Sequence, residues 1–149
     1  MNVQVSKQPR VEWLGASYQT ILSTDQTGGA MSIIDSVSPV NSGPPLHVHD
    51  GEDEIFYILS GEMEVYLDGK LTVAGPGSAI FLPRGVEHSF RVIGENPCRH
   101  LVILTPGGFE GFFSEMAQAQ CRIPEDMEKV VSTAQTYNLS FTGPPLGAG

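Results

Sequence analysis

Four residues of this chain have the types and spacing to hold a metal ion. His47 and His49 stand two apart in Gly43-Pro-Pro-Leu-His47-Val-His49, and side chains two apart on a strand point the same way. Two rises of ~3.3 Å set their Cβ atoms ~7 Å apart, a span that two imidazoles close onto one ion at the ~2.0–2.1 Å of metal–nitrogen bonds. A His-x-His pair alone serves equally as a surface or core pair, so the reading needs further ligands. Glu54 opens the next strand after the Asp50-Gly51-Glu52-Asp53 turn and offers a carboxylate from a neighbouring strand. His88 starts another strand after Pro83-Arg84-Gly85, a corner whose Pro and Gly aim the side chain that follows; read alone, it is as readily a surface histidine behind a turn.

By the same parity Phe56 and Ile58 share the face of Glu54, and Phe90 that of His88. They form either an apolar wall for a small-molecule substrate or plain barrel core. Glu52, Asp53 and Glu87 read as solvated acids in turns and beside a strand start. His100, in the Arg99–Thr105 run, reads as a packed or surface residue.

The elements that must carry these residues are short strands. From Val11 to Thr105 apolar or alternating runs are separated by Gly, Pro, Asp and Asn, which predicts about ten strands in an antiparallel sandwich or barrel. In Glu62–Leu67, Met63, Val65 and Leu67 share one face, and Asp68-Gly69 then predicts a two-residue hairpin into Leu71–Val73. Ser60-Gly61 predicts a turn from Ile55–Leu59 into Glu62–Leu67, so these three strands are expected to form a meander. After Pro106-Gly107-Gly108, residues Phe109, Phe112, Phe113, Met116 and Ala117 recur at helical spacing, an apolar stripe that should cover sheet. A second helix is expected from Pro124, with Met127, Val130, Val131 and Ala134 on one side, available to pair with a second subunit.

The 149 residues and 40% hydrophobic content suit one domain with one core. Its barrel is expected at about 11–105, a helical extension at about 106–137 and a flexible tail at 138–149, mobile unless it docks. Seventeen acids against eight bases leave a net charge of −9, which repels phosphate backbones and anionic membranes and excludes nucleic acid and membrane as expected partners. No apolar run approaches the ~18 residues of a span, and MNVQVSKQPRVEW has no signal-peptide core; the expected location is cytoplasmic. Cys98 and Cys121 are too few and too far apart for a disulfide framework and read as reduced packing thiols.

The pattern His47-x-His49-x4-Glu54-x6-Gly61, followed by Gly77-x5-Pro83-x-Gly85-x2-His88, resembles the two motifs of the cupins at eight positions. Two positions depart from it. The first motif normally starts with a Gly six residues before the first His, where this chain has Gly43 four before His47; the second normally ends in Asn four after its His, where Val92 stands. Neither is a metal ligand. The resemblance implies an all-β double-stranded β-helix of two facing antiparallel sheets. Within one end, His47, His49, Glu54 and His88 would hold one divalent transition metal ion, and that donor set suits Fe, Mn, Ni, Co, Cu or Zn.

Among cupins, GPPLHVHDGEDEIFYILSGEMEVYLDG with AIFLPRGVEHSFR and TPGGFEGFF is similar to the quercetin-dioxygenase-like branch. This implies an oxygenase acting on a phenolic or enolic small molecule, with Glu54 as both ligand and catalytic base. Two alternatives stand beside it: a non-catalytic cupin that binds a small ligand, and another metal-dependent cupin enzyme, an isomerase or decarboxylase, which needs Arg, Lys or Asn rather than Phe and Ile around the ion. Open strand edges and the resemblance together imply a homodimer.

Overall fold

Alternation of inward and outward side chains builds most of this molecule, seen here in a computed structural model that describes residues 7–147. In chain order the strands are β1 (Val11–Trp13), β2 (Ala16–Leu22), β3 (Ser32–Ser38), β4 (Pro45–His49), β5 (Asp53–Ser60), β6 (Glu62–Leu67), β7 (Lys70–Ala74), β8 (Ala79–Leu82), β9 (His88–Ile93) and β10 (Cys98–Thr105). Helices α1 (Glu110–Ala119) and α2 (Met127–Thr136) and strand β11 (Leu139–Pro145) follow. Two antiparallel sheets face each other, one ordered β1-β2-β3-β10-β5-β8 and the other β11-β4-β9-β6-β7. This is the double-stranded β-helix expected from the sequence. No helix among the described residues is long and apolar enough to cross a membrane.

Period-two burial shows in β10, where Cys98, His100, Val102 and Leu104 are buried, and in β5, where Glu54, Phe56 and Ile58 are. Ile34, Ile58, Leu82 and Leu104 are fully buried between the sheets, each contributing about 1.5–3 kcal/mol by leaving water. Asp68 and Gly69 take φ of 48° and 84° between β6 and β7, the two positive values that the tight hairpin requires.

The expected meander is not formed. β5 pairs with β10 and β8, whereas β6 pairs with β9 and β7, so Ser60-Gly61 carries the chain from one sheet to the other. Gly61 has φ 79°, and a Cβ there would overlap the Pro97 carbonyl oxygen and Cys98 Cα. The corner therefore needs a glycine on both conformational and steric grounds.

The tail expected to be flexible is strand through Pro145. Leu139 pairs opposite His49 and Phe141 opposite His47, so β11 forms the outer edge of the site's own sheet; Ala148 and Gly149, like residues 1–6, lie outside the described residues. The second helix begins at Met127, later than Pro124, and its buried Val130 and Ala134 belong to the chain's own core beside Leu139. That side of α2 is thus occupied within the subunit. At the start of α1, the Glu110 carboxylate accepts hydrogen bonds from the Thr24 and Gly108 backbone N–H groups at 2.7 and 2.9 Å. Trp13 Nε1 donates to the Cys121 carbonyl at 2.8 Å. These bonds fix α1 over the open end of the sandwich.

Candidate metal centre

Strand register assembles the site. In β4, His47 and His49 point inward, and His47 sits directly opposite His88 of β9, so all three imidazoles lie on one face of the five-stranded sheet. Glu54 comes from β5 in the facing sheet, across the barrel rather than from an adjacent strand. All four are buried. Ring centroids lie 5.1 Å apart for His47 and His49, 4.4 Å for His47 and His88, and 5.4 Å for His49 and His88. One ligand atom from each histidine lies within 4.8 Å of the others. The Glu54 carboxylate spans the group, Oε2 at 3.3 Å from His49 Nε2 and Oε1 at 3.3 Å from His88 Nε2.

Hydrogen bonds behind the rings decide which nitrogen faces the centre. His47 Nδ1 lies 2.7 Å from the Pro45 carbonyl, His88 Nδ1 3.2 Å from the Val86 carbonyl and His49 Nδ1 2.6 Å from Glu52 Oε1. Each of these oxygens accepts, so each Nδ1 carries the hydrogen and each Nε2 presents a lone pair. His88 Nε2 is buried and hydrogen-bonds to nothing, despite its 3.3 Å approach to Glu54. Three lone pairs and a carboxylate around one point, with no hydrogen to share among them, fit a divalent cation.

Electrostatics agree with that donor set at His47 and Glu54, while the two carboxylates beside His49 favour its proton. Burial, with the neighbouring His88 and His49, lowers His47 to about 3. Burial would raise Glu54, but His49, His88 and His47 outweigh it and hold the carboxyl at about 2. Burial would lower His49, yet Glu54 and Glu52 raise it above its ordinary value. At neutral pH the cluster offers an ionised carboxylate and a neutral His47.

The Glu52 assignment needs correction. The residue is 7% exposed and braces His49, where a solvated turn acid was expected. The carboxylate three residues after a ligand histidine was the available signal, since the Asp50-Gly51 turn folds it back onto the ring. Asp53 instead receives Arg84 at 3.2 Å at the surface.

Beside the ligands opens a cavity of about 330 Å³ whose lining includes His47, His49 and Glu54. Phe56 and Phe90 line it, edge to face at 5.4 Å. Ile58 does not line it: fully buried, it packs in the core, because at its row the lining comes from β2, β3 and β10 rather than β5. The helical stripe does more than cover sheet, since Phe109, Phe112 and Phe113 also wall the cavity and Phe109 meets His49 at 4.6 Å. Parity along one strand could not reveal these residues, which arrive from a distant segment. No Arg, Lys or Asn is among the lining residues.

Residues 36–104 match the family model for the cupin domain, and the two facing antiparallel sheets are those of that fold. Over these residues the chain carries a cupin domain. The chain is 28% identical over 96 residues to quercetin 2,3-dioxygenase of Bacillus subtilis, a match covering 64% of this chain and 28% of that protein. It is 35% identical over 66 residues to the oxalate-binding protein of Thermotoga maritima, covering 44% of this chain and 54% of the other. It thus spans well under two thirds of either curated relative. Among solved structures, the polyketide cyclase RemF of Streptomyces resistomycificus aligns with a TM-score of 0.55 and 25% identity, over 70% of this chain and 78% of that one.

Proposed function

We propose that this protein is a divalent-metal-dependent oxygenase of phenolic or enolic small molecules. The observation that carries the reading is the junction of a three-histidine, one-carboxylate cluster with an aromatic-walled cavity lacking Arg, Lys and Asn. An anionic diacid or a sugar would meet the ionised Glu54 and phenyl rings with no cationic or amide side chain to receive it. A flat, neutral aromatic molecule would instead stack on Phe56, Phe90 and Phe109.

His47, His49, His88 and Glu54 would hold the ion. When bound, it supplies Lewis acidity at a substrate oxygen and, if redox-active, reaction with dioxygen. Glu54 is the catalytic base, its ionised carboxylate accepting the hydroxyl proton of the substrate. Substrate filling the cavity strengthens the desolvation that raises Glu54, which improves it as a base at the moment of transfer. Phe109 and its neighbours exclude water from the reacting face.

A second reading is ring closure of a polyketide-like enol without oxygen, favoured by the likeness to the polyketide cyclase. Two further proposals accompany the first. Leu71 and Val73 on edge strand β7 and Phe81 on edge strand β8 are more than half exposed, and a second copy of the chain is the proposed partner that covers them, giving twice the 16.0 kDa chain mass in light scattering. The buried, unpaired Cys98 and Cys121 fit a reducing compartment, and the cytoplasm is the proposed location.

Elemental analysis of protein purified without chelator or nickel resin, wild type against His49→Ala, tests the centre. Near-stoichiometric metal lost in the variant supports it, and no metal in either protein overturns it. Oxygen uptake with flavonols and β-diketones then separates the readings: uptake with turnover supports oxygenation, product of unchanged oxygen content supports ring closure, and binding without turnover leaves a non-catalytic ligand-binding cupin.

A further inference from the structure

Away from the metal ligands the cavity wall becomes polar. Tyr18 of β2 pairs opposite Ser36 of β3, and Ser36 opposite His100 of β10, so the three side chains share one face of the six-stranded sheet. All three line the cavity. Leu104 is the partner of Glu54 and His100 that of Ile58, so four residues at ~3.4 Å separate the two rows by roughly 14 Å. Between them stand Phe56 and Phe90, whose rings meet that of His100 edge to face at 4.9 and 5.3 Å.

His100 is 1% exposed, and its Nδ1 has no hydrogen-bond partner. No hydrogen bond from the Tyr18 or Ser36 hydroxyl is found among the described residues. Of the three, only His100 Nδ1 is a buried polar atom without a partner; such atoms are rare, and the metal centre does not use it. Burial lowers His100 to about 4, with Glu54 and Asp35 offsetting only part of the effect. The ring is therefore neutral at pH 7, with one donor and one acceptor nitrogen. A half-turn about Cβ–Cγ keeps its packing between the phenylalanines and presents either edge to a ligand.

We propose that the Tyr18–Ser36–His100 row recognises a second oxygen function, a hydroxyl or carbonyl, at the end of an aromatic substrate remote from Glu54. The proposal rests on the aromatic-substrate reading above and deepens it: the substrate is oxygenated at both ends, with an apolar middle between Phe56 and Phe90. His100 is then a specificity-determining residue, because a ligand lacking the distal oxygen leaves the ring nitrogen unpaired.

The test uses metal-loaded protein and two probes, an unsubstituted flavonol and the same flavonol bearing one hydroxyl on its pendant phenyl ring. Binding is read from the fluorescence of Trp13, the single tryptophan, which lines the cavity. Wild type is expected to prefer the hydroxylated probe about 10-fold. His100→Phe should reduce that preference to about twofold or less with metal content and Tm retained, while His100→Gln keeps part of it. Should His100→Phe fail to fold, Ser36→Ala removes one hydroxyl and should lower the same preference. Equal binding of both probes by wild type, or full preference in folded His100→Phe, overturns this inference and leaves the proposed function standing. Quenching by neither probe overturns both.

Discussion

Removing the Glu52 carboxylate should weaken metal binding although Glu52 touches no metal. Its Oε1 accepts the His49 Nδ1 hydrogen at 2.6 Å, and both side chains are buried, at 3% and 9% side-chain exposure. A short bond to a carboxylate is about twice as strong as a neutral one, and it fixes both the ring orientation and the tautomer that aims Nε2 at the centre. Glu52→Ala leaves a buried N–H without an acceptor, at about 1–3 kcal/mol, and frees the ring to turn. Loss of such a partner typically costs about 10–100-fold in metal affinity. Glu52→Gln keeps an oxygen to accept the hydrogen but not the charge, so its effect should lie near the lower end. Competition for Co²⁺ or Zn²⁺ against a chromophoric chelator measures both, with Asp53→Asn as control, because Asp53 pairs with Arg84 at the surface. Glu52→Ala that folds and binds metal within about twofold of wild type would refute the bracing argument.

Two other perturbations follow from the same geometry. Unfolded, His100 takes its proton near the ordinary 6.5, but folded only near 4, so between those values the unfolded chain binds the extra proton and stability falls as pH falls. His100→Phe removes this contribution: from pH 7 to pH 4 its unfolding free energy relative to wild type should rise by up to about 3 kcal/mol, and parallel urea-stability profiles of the metal-free proteins would contradict that. Ending the chain after Asn138 removes β11 and the partners of His49 and His47; melting temperature and metal content should both drop, and unchanged metal content would show that β4 holds its register without β11.

The parts of this site legible in the sequence are those fixed locally. Strand parity places His47 with His49 and Phe90 with His88, and Asp68-Gly69 permits a tight turn that few other residue pairs accommodate. What the sequence leaves open is pairing at a distance. Ser60-Gly61 has the same turn chemistry whether it joins two strands of one sheet or crosses between sheets, and only contact with Pro97 and Cys98, far along the chain, selects the corner. Leu139 and Phe141 form a two-residue alternation amid Gly and Pro, too little to predict strand until β4 offers an edge. Ile58 obeys the parity of Glu54 yet misses the cavity that its row partner His100 lines, because parity gives the face and not the position across the sheet.

The register of β4 is the point on which the centre depends. A slip of one residue would turn His47 and His49 to the opposite face, yet His47 and His88 are the single residue pair in the β4–β9 ladder. Other bonds hold the strand: Ser89 Oγ donates to the Pro44 carbonyl at 2.7 Å, Gly85 N–H to the His49 carbonyl at 2.8 Å, and β11 pairs along the far edge. Three ligands hang from this thinly laddered sheet and the fourth, Glu54, from the sheet opposite. An ion bound by all four would therefore tie the two sheets together where backbone pairing is weakest, coupling metal occupancy to the stability of the open end. The same division leaves the cavity wall free to come from elsewhere, from α1 and from the Tyr18–Ser36–His100 row, so that what the site binds and how it holds the metal are set by different elements.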